Sequence, residues 1–282
     1  MSYIDLFPKV PEWSHRRLSS FLSDSNPASY QLLDVREPTE FEKYHLPGAQ
    51  SFPLAKLQEG STIIDSKKPT ILYCRNGLRS HAAAQILIRR GFQKVYLLKR
   101  GVQNWRGWLA TFSDSRVNEL FTMLNTAEDH ALFAWQLEEN TRRLYRAINE
   151  TVENSQLKVL FAKLAGDESN HKATIKAIWE GLSRRAAPTA FPHAIETFRE
   201  HDFLEGGMVL TDALNWIKSF STVDLLDFII SLEINAYDHY LTLQRLATDE
   251  NSGRLFELVS DEELRHVKLL VRSCEEFQSS LQ

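Results

Sequence analysis

Cysteine is nearly absent: the 282 residues include only Cys74 and Cys274, and no Cys-x-x-Cys occurs. Two cysteines cannot build a disulfide framework, so a reducing, cytoplasmic setting is expected. Basic residues are not in excess either, because a net charge of -4 gives no electropositive footprint for nucleic acid. No apolar run approaches the about 20 residues of a membrane helix, and MSYIDLFPKV lacks the basic and apolar parts of a signal peptide. We therefore expect neither nucleic acid nor a membrane as a partner.

Strand patterns are confined to the first part of the chain. There, the short apolar runs YQLLDV, QSFPL, TILYC and KVYLL alternate with helical patterns such as SHAAAQILIRRG. This order predicts an α/β domain with a parallel sheet. From about residue 125 the sequence predicts only helices, near 126–153, 155–180, 221–247 and 252–278. The predicted organisation is a multidomain α/β plus all-α protein, with a domain at 1–110, a linker at 111–124, and a four-helix bundle at 125–282 whose long crossover covers 181–220.

One helical stripe carries polar residues where apolar ones belong. Leu164, Glu168, His171 and Ile175 recur at spacings of four and three, which keeps them on one helix face. A carboxylate and an imidazole in a core cost several kcal/mol, roughly, unless they find partners. The sequence must therefore supply partners for this pair.

A shift of 95 residues supplies them. The repeat pairs both the helix starts and the polar positions of two helix pairs, which indicates a duplicated unit. A single Glu-x-x-His occurs often by chance, but two copies with matched glutamates and tyrosines are far more specific. The matched pairs are Glu138 with Glu233, Glu168 with Glu263, His171 with His266, and Tyr145 with Tyr240.

Packing the four helices together brings four carboxylates and two imidazoles to one depth of the core. Like charges repel there, and desolvation raises the penalty, so a pair of cations is expected. Carboxylate and imidazole ligands without thiolate favour iron or manganese over a structural zinc. The alternative is a buried polar network without metal. Tyr145 and Tyr240 fit two roles equally, as hydrogen-bond donors to ligating carboxylates or as core packing.

The helical half resembles the ferritin-like di-iron carboxylate proteins, and rubrerythrin in particular, over roughly residues 125–278. The resemblance implies that two irons are bound by Glu138, Glu168, His171, Glu233, Glu263 and His266, although manganese or a mixed pair fits the same ligands. It also implies a redox reaction with peroxide or oxygen. The cysteine-rich rubredoxin module of typical rubrerythrins is missing, so an external electron donor is expected. Ferritin-like bundles commonly pair, which makes a homodimer a further expectation.

A second candidate site is the stretch CRNGLRS, residues 74–80. Cys74 follows a strand pattern and precedes a helix start, where free backbone N–H groups and the helix dipole favour a thiolate. Arg75 and Arg79 add positive charge, and the loop can cradle an anion or the outer sulfur of a persulfide. The alternative is a small buried cysteine at a strand end. Cysteine-dependent phosphatases place five residues between Cys and Arg, but four separate Cys74 from Arg79, which favours sulfur over phosphate.

The motifs LLDVREPTEFEKYHLPGAQSFPL, LYCRNGLRSHAAAQIL and GFQKVYLLKRGVQNW resemble the single-domain rhodaneses over roughly residues 28–108. The resemblance implies that Cys74 takes a sulfane sulfur from thiosulfate or a persulfide and passes it to a thiol or other thiophilic acceptor. Arg75 and Arg79 would orient the anionic donor. Asp34 and Arg36 are interpreted as a salt-bridged pair or as direct participants, and His45 as structural.

The remaining candidates are set aside by position. Cys274 has acidic neighbours and is predicted to be a poor nucleophile. His130, His193, His201 and His239 are predicted to lie on the surface.

The sequence thus predicts a sulfurtransferase fused to a di-iron oxidoreductase. The alternative is a non-catalytic iron-binding or sensing module in which the rhodanese domain serves as a recognition element.

Overall fold

The computed structural model describes residues 9–59, 64–111, 115–183, 191 and 202–280. The chain divides into two units, Met1–Phe112 and Ser113–Gln282. The first unit is α/β with a parallel sheet and the second is helical, so the predicted fold class is confirmed.

Five parallel strands form the sheet of the first unit in the order β1-β5-β4-β2-β3. Every pairing is parallel, so crossovers connect the strands. The strands are β1 Glu12–Trp13, β2 Gln31–Asp34, β3 Gln50–Ser51, β4 Thr70–Tyr73 and β5 Val95–Leu98, and the helices are α1 His15–Asp24, α2 Pro38–Lys43, α3 Leu54–Glu59 and α4 Leu78–Arg89.

The sheet is buried on both faces, which explains why its strands read as continuous apolar runs. Successive residues of β2 point to opposite faces: Leu32 packs in a cluster with Ile71, and Leu33 packs in another with Leu72. Residue 74 follows β4 directly, and Cys74 is fully buried in the second of these clusters. The parallel order therefore places Cys74 at the carboxyl edge of a central strand, where α/β folds carry their sites.

The second unit is built on four long helices close to the predicted segments. Ser221 and Asp224 form a complete capping box at the start of the third of these helices, and Thr126 caps the first by accepting a hydrogen bond from the Asp129 backbone. Within the described residues, the α-helices of this unit are α5 Ser115–Met123, α6 Ala127–Thr151, α7 Ser155–Ser183, α8 Leu210–Trp216, α9 Thr222–Leu246 and α10 Glu250–Ser280.

Two connecting segments hold more structure than the sequence indicated. The predicted linker contains helix α5, whose Val117 and Phe121 are buried in the bundle core. The predicted crossover begins inside α7 and contains α8, together with a bridge between Phe203 and Val209. Helices α5 and α8 are short, so tertiary packing rather than local pattern stabilises them.

The four-helix core consists of two apolar clusters with a polar layer between them along each helix. On α6, Ala134 belongs to one cluster and Tyr145 to the other, and Glu138 lies between them. On α9, Tyr240 and Ile229 bracket Glu233 in the same way. Apolar packing above and below isolates the polar layer from water. Among the helices described, none combines the length and apolar character needed to cross a bilayer.

Candidate functional site

Each of the four long helices contributes its polar stripe position to one buried cluster. The repeat explains the symmetry, since α6 matches α9 and α7 matches α10. All six side chains that were predicted to bind metal lie there, and none is more than 8 % exposed. They are Glu138, Glu168, His171, Glu233, Glu263 and His266.

The two imidazoles lie at the centre of this acid cluster. His171 Nδ1 is 3.0 Å from Glu138 Oε2 and 3.2 Å from Glu168 Oε2. His266 Nδ1 is 3.4 Å from an oxygen of Glu168 and 3.4 Å from one of Glu233. The two rings stack with centroids 5.1 Å apart. Each imidazole thus faces carboxylates from its own helix and from a neighbouring one.

Candidate ligand atoms within 4.8 Å of one another form overlapping groups. Glu263 belongs to two of them, and Glu168 is shared between groups that contain either histidine. Two carboxylates shared in this way could bridge a pair of ions. The groups are Glu138–Glu168–His171–Glu263, Glu233–Glu263–His266 and Glu168–His171–His266.

Burial and mutual repulsion dominate the protonation of the acids. Burial raises the pKa of Glu138 well above its usual range, and the charges of Glu205 and Glu168 raise it further. Burial likewise raises the pKa of Glu263, with Glu205 adding to it. Burial would also raise the pKa of Glu168, but the charge of His266, together with hydrogen bonds to Glu138 and His171, outweighs burial and lowers that pKa to about 2. The cluster without metal therefore keeps some acids neutral.

The donor set fits a pair of hard cations. Both oxygens of Glu168, Glu233 and Glu263 are buried without a hydrogen-bond partner, as are both nitrogens of His266. Buried polar atoms are almost always satisfied, so this concentration of unsatisfied oxygen and nitrogen points to bound metal. Oxygen with imidazole donors suits iron or manganese.

Sequence reasoning missed a fifth buried carboxylate, Glu205. It is 1 % exposed, and its Oε1 accepts a hydrogen bond of 3.1 Å from Tyr240 Oη. Glu205 lies in the crossover and has no counterpart in the repeat, so the shift could not reveal it. The local signal was a single acid between two apolar residues and two glycines, in FLEGG.

The two tyrosines of the repeat differ in their partners. Tyr240 donates to Glu205 rather than to one of the six predicted ligands. The hydroxyl of Tyr145 is buried without a hydrogen-bond partner, and its ring packs among apolar residues such as Phe161.

The surface assignment of two histidines is wrong. His239 is buried, and its Nδ1 lies 2.5 Å from the carbonyl oxygen of Glu205. His130 is also buried, bonds Ser252 through Nδ1 at 2.7 Å and stacks on Phe121. Both lie beside the repeat stripe, on faces that the crossover and α5 cover. Residues 193 and 201 lie outside the described part of the chain.

The loop after β4 holds the second candidate site. The Gly77 N–H donates a 3.2 Å hydrogen bond to Cys74 Sγ, and the thiol lies 3.7 Å from Ser80 Oγ. Gly77 caps α4 with φ of 104°, a conformation that favours glycine. The N-terminus of α4 therefore faces the sulfur, as the sequence predicted.

A second glycine, Gly101, packs against the backbone of this loop. The backbone N–H of Val102 donates to the Cys74 carbonyl at 2.8 Å. A Cβ on Gly101 would lie 2.2 Å from that same oxygen, so only glycine allows the approach. The backbone of the Cys74 loop is therefore fixed by β5 and the turn that follows it.

The two loop arginines are placed differently. Arg75 is exposed, whereas Arg79 is partly buried and makes two hydrogen bonds, of 2.6 and 3.0 Å, to Glu40 on α2. These hydrogen bonds lower the pKa of Glu40 to about 2. The same hydrogen bonds raise the pKa of Arg79. Glu40 thus fixes the guanidinium of Arg79, which lies in the first turn of α4.

The Asp34–Arg36 pair has the geometry of a buried structural salt bridge. Arg36 is 1 % exposed, and its Nη2 is 2.6 Å from Asp34 Oδ2 and donates to the Tyr44 carbonyl. His45 stacks on Phe41 and bonds its carbonyl through Nδ1. These groups fix the loop between β2 and β3.

Cys274 lies away from both clusters, in the apolar packing at the end of α10. Burial raises its pKa, with the charges of Asp227 and Glu275 adding to the effect. The thiol form is therefore favoured, as expected from its acidic neighbours.

Comparisons with known proteins match the division of the chain into an α/β unit and a helical unit. The family model for the rhodanese-like domain matches residues 16–107, and the model for rubrerythrin matches residues 132–216. The rubrerythrin match includes Glu138, Glu168 and His171 and ends before Glu233. A rubrerythrin domain implies iron binding, and the buried acid and histidine cluster can hold metal.

Individual relatives cover the N-terminal unit. The uncharacterized protein YqhL of Bacillus subtilis is 47% identical over 77 residues, which are 27% of this chain and 61% of YqhL, so the chain spans under two thirds of that relative. The thiosulfate sulfurtransferase GlpE of Coxiella burnetii is 38% identical over 87 residues, 31% of this chain and 80% of GlpE. The rhodanese-related protein of Thermoplasma volcanium is 26% identical with a TM-score of 0.30, covering 34% of this chain and 89% of that one. The chain therefore belongs to the rhodanese-like family and carries a rubrerythrin domain in its second half.

Proposed function

We propose that the N-terminal unit transfers sulfane sulfur through Cys74. The observation that carries this proposal is the hydrogen bond from the Gly77 N–H to Cys74 Sγ at the N-terminus of α4. A donor aimed at the sulfur, together with the helix dipole, favours the anionic nucleophile. The similarity to a thiosulfate sulfurtransferase over 80% of that protein supports the same activity.

The reaction balances without a cofactor. The Cys74 thiolate attacks the outer sulfur of thiosulfate, a new S–S bond forms, the old S–S bond breaks, and sulfite leaves with the bonding electron pair. The persulfide then gives its outer sulfur to a thiophilic acceptor such as a thiol or cyanide, and Cys74 returns as the thiolate. The fixed Arg79 guanidinium and the exposed Arg75 would attract and orient the anionic donor.

A sulfurtransferase assay with thiosulfate and cyanide tests this proposal. We expect activity in the wild type, none in Cys74→Ser, and wild-type activity in Cys274→Ser, because Cys274 lies in the other unit. Persulfide formation is read separately as a 32-Da mass gain on a peptide that contains Cys74. Activity that survives Cys74→Ser would overturn the proposal, and absence of activity from both proteins would favour the recognition-module alternative.

For the helical unit we propose a di-iron centre that reduces peroxide or oxygen. The carrying observation is the set of buried carboxylate oxygens and imidazole nitrogens without partners. Bound iron would supply the electrons that reduce the substrate, and an external donor would restore them. The residues that would hold the ions are Glu138, Glu168, His171, Glu233, Glu263 and His266, whose candidate ligand atoms form overlapping groups.

The protein's own contribution is to exclude water and to position protons. Apolar clusters close the layer from both ends, which strengthens every electrostatic interaction inside it. Burial raises the pKa of Glu205 to about 7, with the charge of Glu168 adding to it. When no cation faces it, a carboxyl group with such a pKa can hold a proton at neutral pH.

Stopped-flow mixing tests the redox proposal. The diferrous protein is mixed with hydrogen peroxide or with oxygen, and oxidation is followed by ferric absorption. We expect faster oxidation than in Glu263→Gln, which removes a shared carboxylate. Equal rates in the two proteins, or rates equal to those of free ferrous ion, would contradict the proposed chemistry.

A further inference from the structure

The crossover between the two helix pairs forms a tight hairpin with Glu205 near its tip. Leu204 N donates to the Met208 carbonyl at 2.7 Å, and Leu210 N donates to the Asp202 carbonyl at 2.7 Å. A Cβ on Gly206 would lie 2.9 Å from the carbonyl oxygen of Leu232 on α9. The hairpin is therefore pressed against the helix that carries Glu233.

Four side chains from α6 and α9 hold this hairpin in place. Asn140 donates through Nδ2 to the Phe203 carbonyl at 2.9 Å, and Thr141 Oγ1 accepts from the Glu205 N–H at 3.4 Å. His239 Nδ1 donates to the Glu205 carbonyl, because a carbonyl oxygen can only accept. Tyr240 donates to the Glu205 carboxylate itself. The backbone N–H, the backbone carbonyl and the carboxylate of Glu205 thus each have a hydrogen-bond partner on α6 or α9.

This anchored carboxylate has one oxygen left over. Oε2 is buried without a hydrogen-bond partner, and Glu205 makes no ion pair with a cationic side chain in the part of the chain described. The charge of Glu205 adds to the burial that raises the pKa of Glu138. At Glu205 itself, burial and the charge of Glu168 raise the pKa, and the charge of His171 lowers it. A buried carboxylate oxygen without a hydrogen-bond partner, among other acids, is unfavourable unless a proton or a cation neutralises it.

We propose that Glu205 is a seventh ligand of the metal centre, serving the ion held by Glu138 and His171. This inference rests on the proposed di-metal function. A ligating carboxylate is normally oriented by a hydrogen bond to its second oxygen, which is the role that Tyr240 fills. The other oxygen, Oε2, would then be free to bind the metal.

The consequence is that the two ions are inequivalent. The repeat alone provides matched ligands to both ions. The position 95 residues before Glu205 is Ala110, which lies in the other unit, so the ion near Glu233 and His266 has no counterpart of Glu205. One ion should therefore be held more tightly than the other.

A cobalt titration of metal-free protein tests the inference, with Co²⁺ as the probe and its visible absorption and a competing chelator as readouts. The variants are Glu205→Gln, which keeps the shape, and Tyr240→Phe, which removes the anchoring hydroxyl. Glu139→Gln is the matched control, since Glu139 neighbours Glu138 but bonds Arg142 and Lys172 outside the cluster.

We expect two binding steps in the wild type and in the Glu139→Gln control. Glu205→Gln should weaken one step by about 10–100-fold, change the spectrum of that ion and leave the other step unaltered. Tyr240→Phe should weaken the same step by a smaller factor. Both steps retained in Glu205→Gln to within twofold would overturn the inference while leaving the di-metal centre intact.

Chemical denaturation of the metal-free proteins separates a ligand from a structural residue. Removing one buried acid from a repelling cluster should leave Glu205→Gln as stable as the metal-free wild type or more stable. A loss of metal-free stability together with weaker cobalt binding would show that Glu205 acts by holding the hairpin, and would overturn its role as a ligand. Failure of wild-type protein to bind cobalt at all would overturn the di-metal function, and this inference with it.

Discussion

At the scale of single residues, two pairs of an acid with an arginine differ in burial and therefore in their expected roles. Asp34 and Arg36 form a pair with almost no exposure, while Glu40 and Arg79 form a pair with about a third of each side chain exposed. A buried charge that loses its partner is left uncompensated, whereas an exposed one is solvated. The first pair should therefore matter for folding, and the second for the position of Arg79.

Alanine substitution of each acid separates the two pairs. We expect Asp34→Ala to lower the free energy of unfolding by about 3–5 kcal/mol, because Arg36 stays buried without its partner. Glu40→Ala should cost about 0–1 kcal/mol. Urea denaturation monitored by circular dichroism measures both. Equal losses in the two variants would contradict the structural assignment of Asp34.

The close approach behind Cys74 gives a second prediction at this scale. Gly101→Ala should lower both stability and sulfur transfer, because the new Cβ would collide with the Cys74 and Arg75 carbonyl oxygens. Gly91→Ala is the control, since Gly91 also has positive φ but has nothing within 4 Å of its added Cβ. The difference in unfolding free energy between the two variants isolates the collision. If they behave alike, backbone strain alone explains the effect.

At the scale of elements, the helical periodicity of the sequence predicted the four long helices. It missed the hairpin of the crossover, which has no periodic pattern. The stripes of α6, α7, α9 and α10 could be read directly because core packing imposes the helical period. The hairpin that carries Glu205 has no period, and its conformation depends on Asn140, Thr141 and His239 from distant parts of the sequence. His239 was misassigned because its face is covered by this hairpin rather than by another helix.

The acid layer makes the stability of the helices depend on pH. The pKa values of Glu138 and Glu263 are raised by burial, and that of Glu205 is raised to about 7. The folded state therefore keeps protons that the unfolded chain releases above about pH 4.5, so stability falls as pH rises. His266, whose pKa is raised by Glu168 and Glu233 against burial, contributes in the same direction above pH 6.5.

Metal-free protein should accordingly become less stable between about pH 5 and 8. Bound metal replaces those protons, so the metal-loaded protein should instead gain stability over the same range. Denaturant midpoints measured at several pH values, with chelator and with ferrous ion under anaerobic conditions, provide the comparison. A metal-free midpoint that rises with pH would contradict the repulsion assigned to this layer.

At the scale of the whole molecule, each of the two units carries one candidate site. Each has its own apolar core, and the sequence predicted both units, because the hydrophobic period changes between residues 110 and 125. The exact limits were harder to predict, because α5 lies in the segment that resembled a linker. Its Val117 and Phe121 pack into the helical core, which only the folded structure reveals.

Separate cores imply separate responses to metal. Metal that binds only the folded bundle stabilises it by about 2.7 kcal/mol when its free concentration is 100 times Kd. We expect the denaturation midpoint of the helical unit to rise on metal addition while that of the α/β unit stays constant. The protection of individual peptides from hydrogen exchange distinguishes the two units. Equal stabilisation of both units would contradict this independence.

The central claim is that four helices enclose carboxylates and imidazoles around a pair of ions. An anomalous difference map at the iron edge, from crystals of iron-reconstituted protein, tests it most directly. We predict two peaks within the polar layer, both adjacent to Glu168 and Glu263, with Glu205 next to one of them. A map without peaks in this layer would contradict the account, since the acids would then be held by shared protons alone.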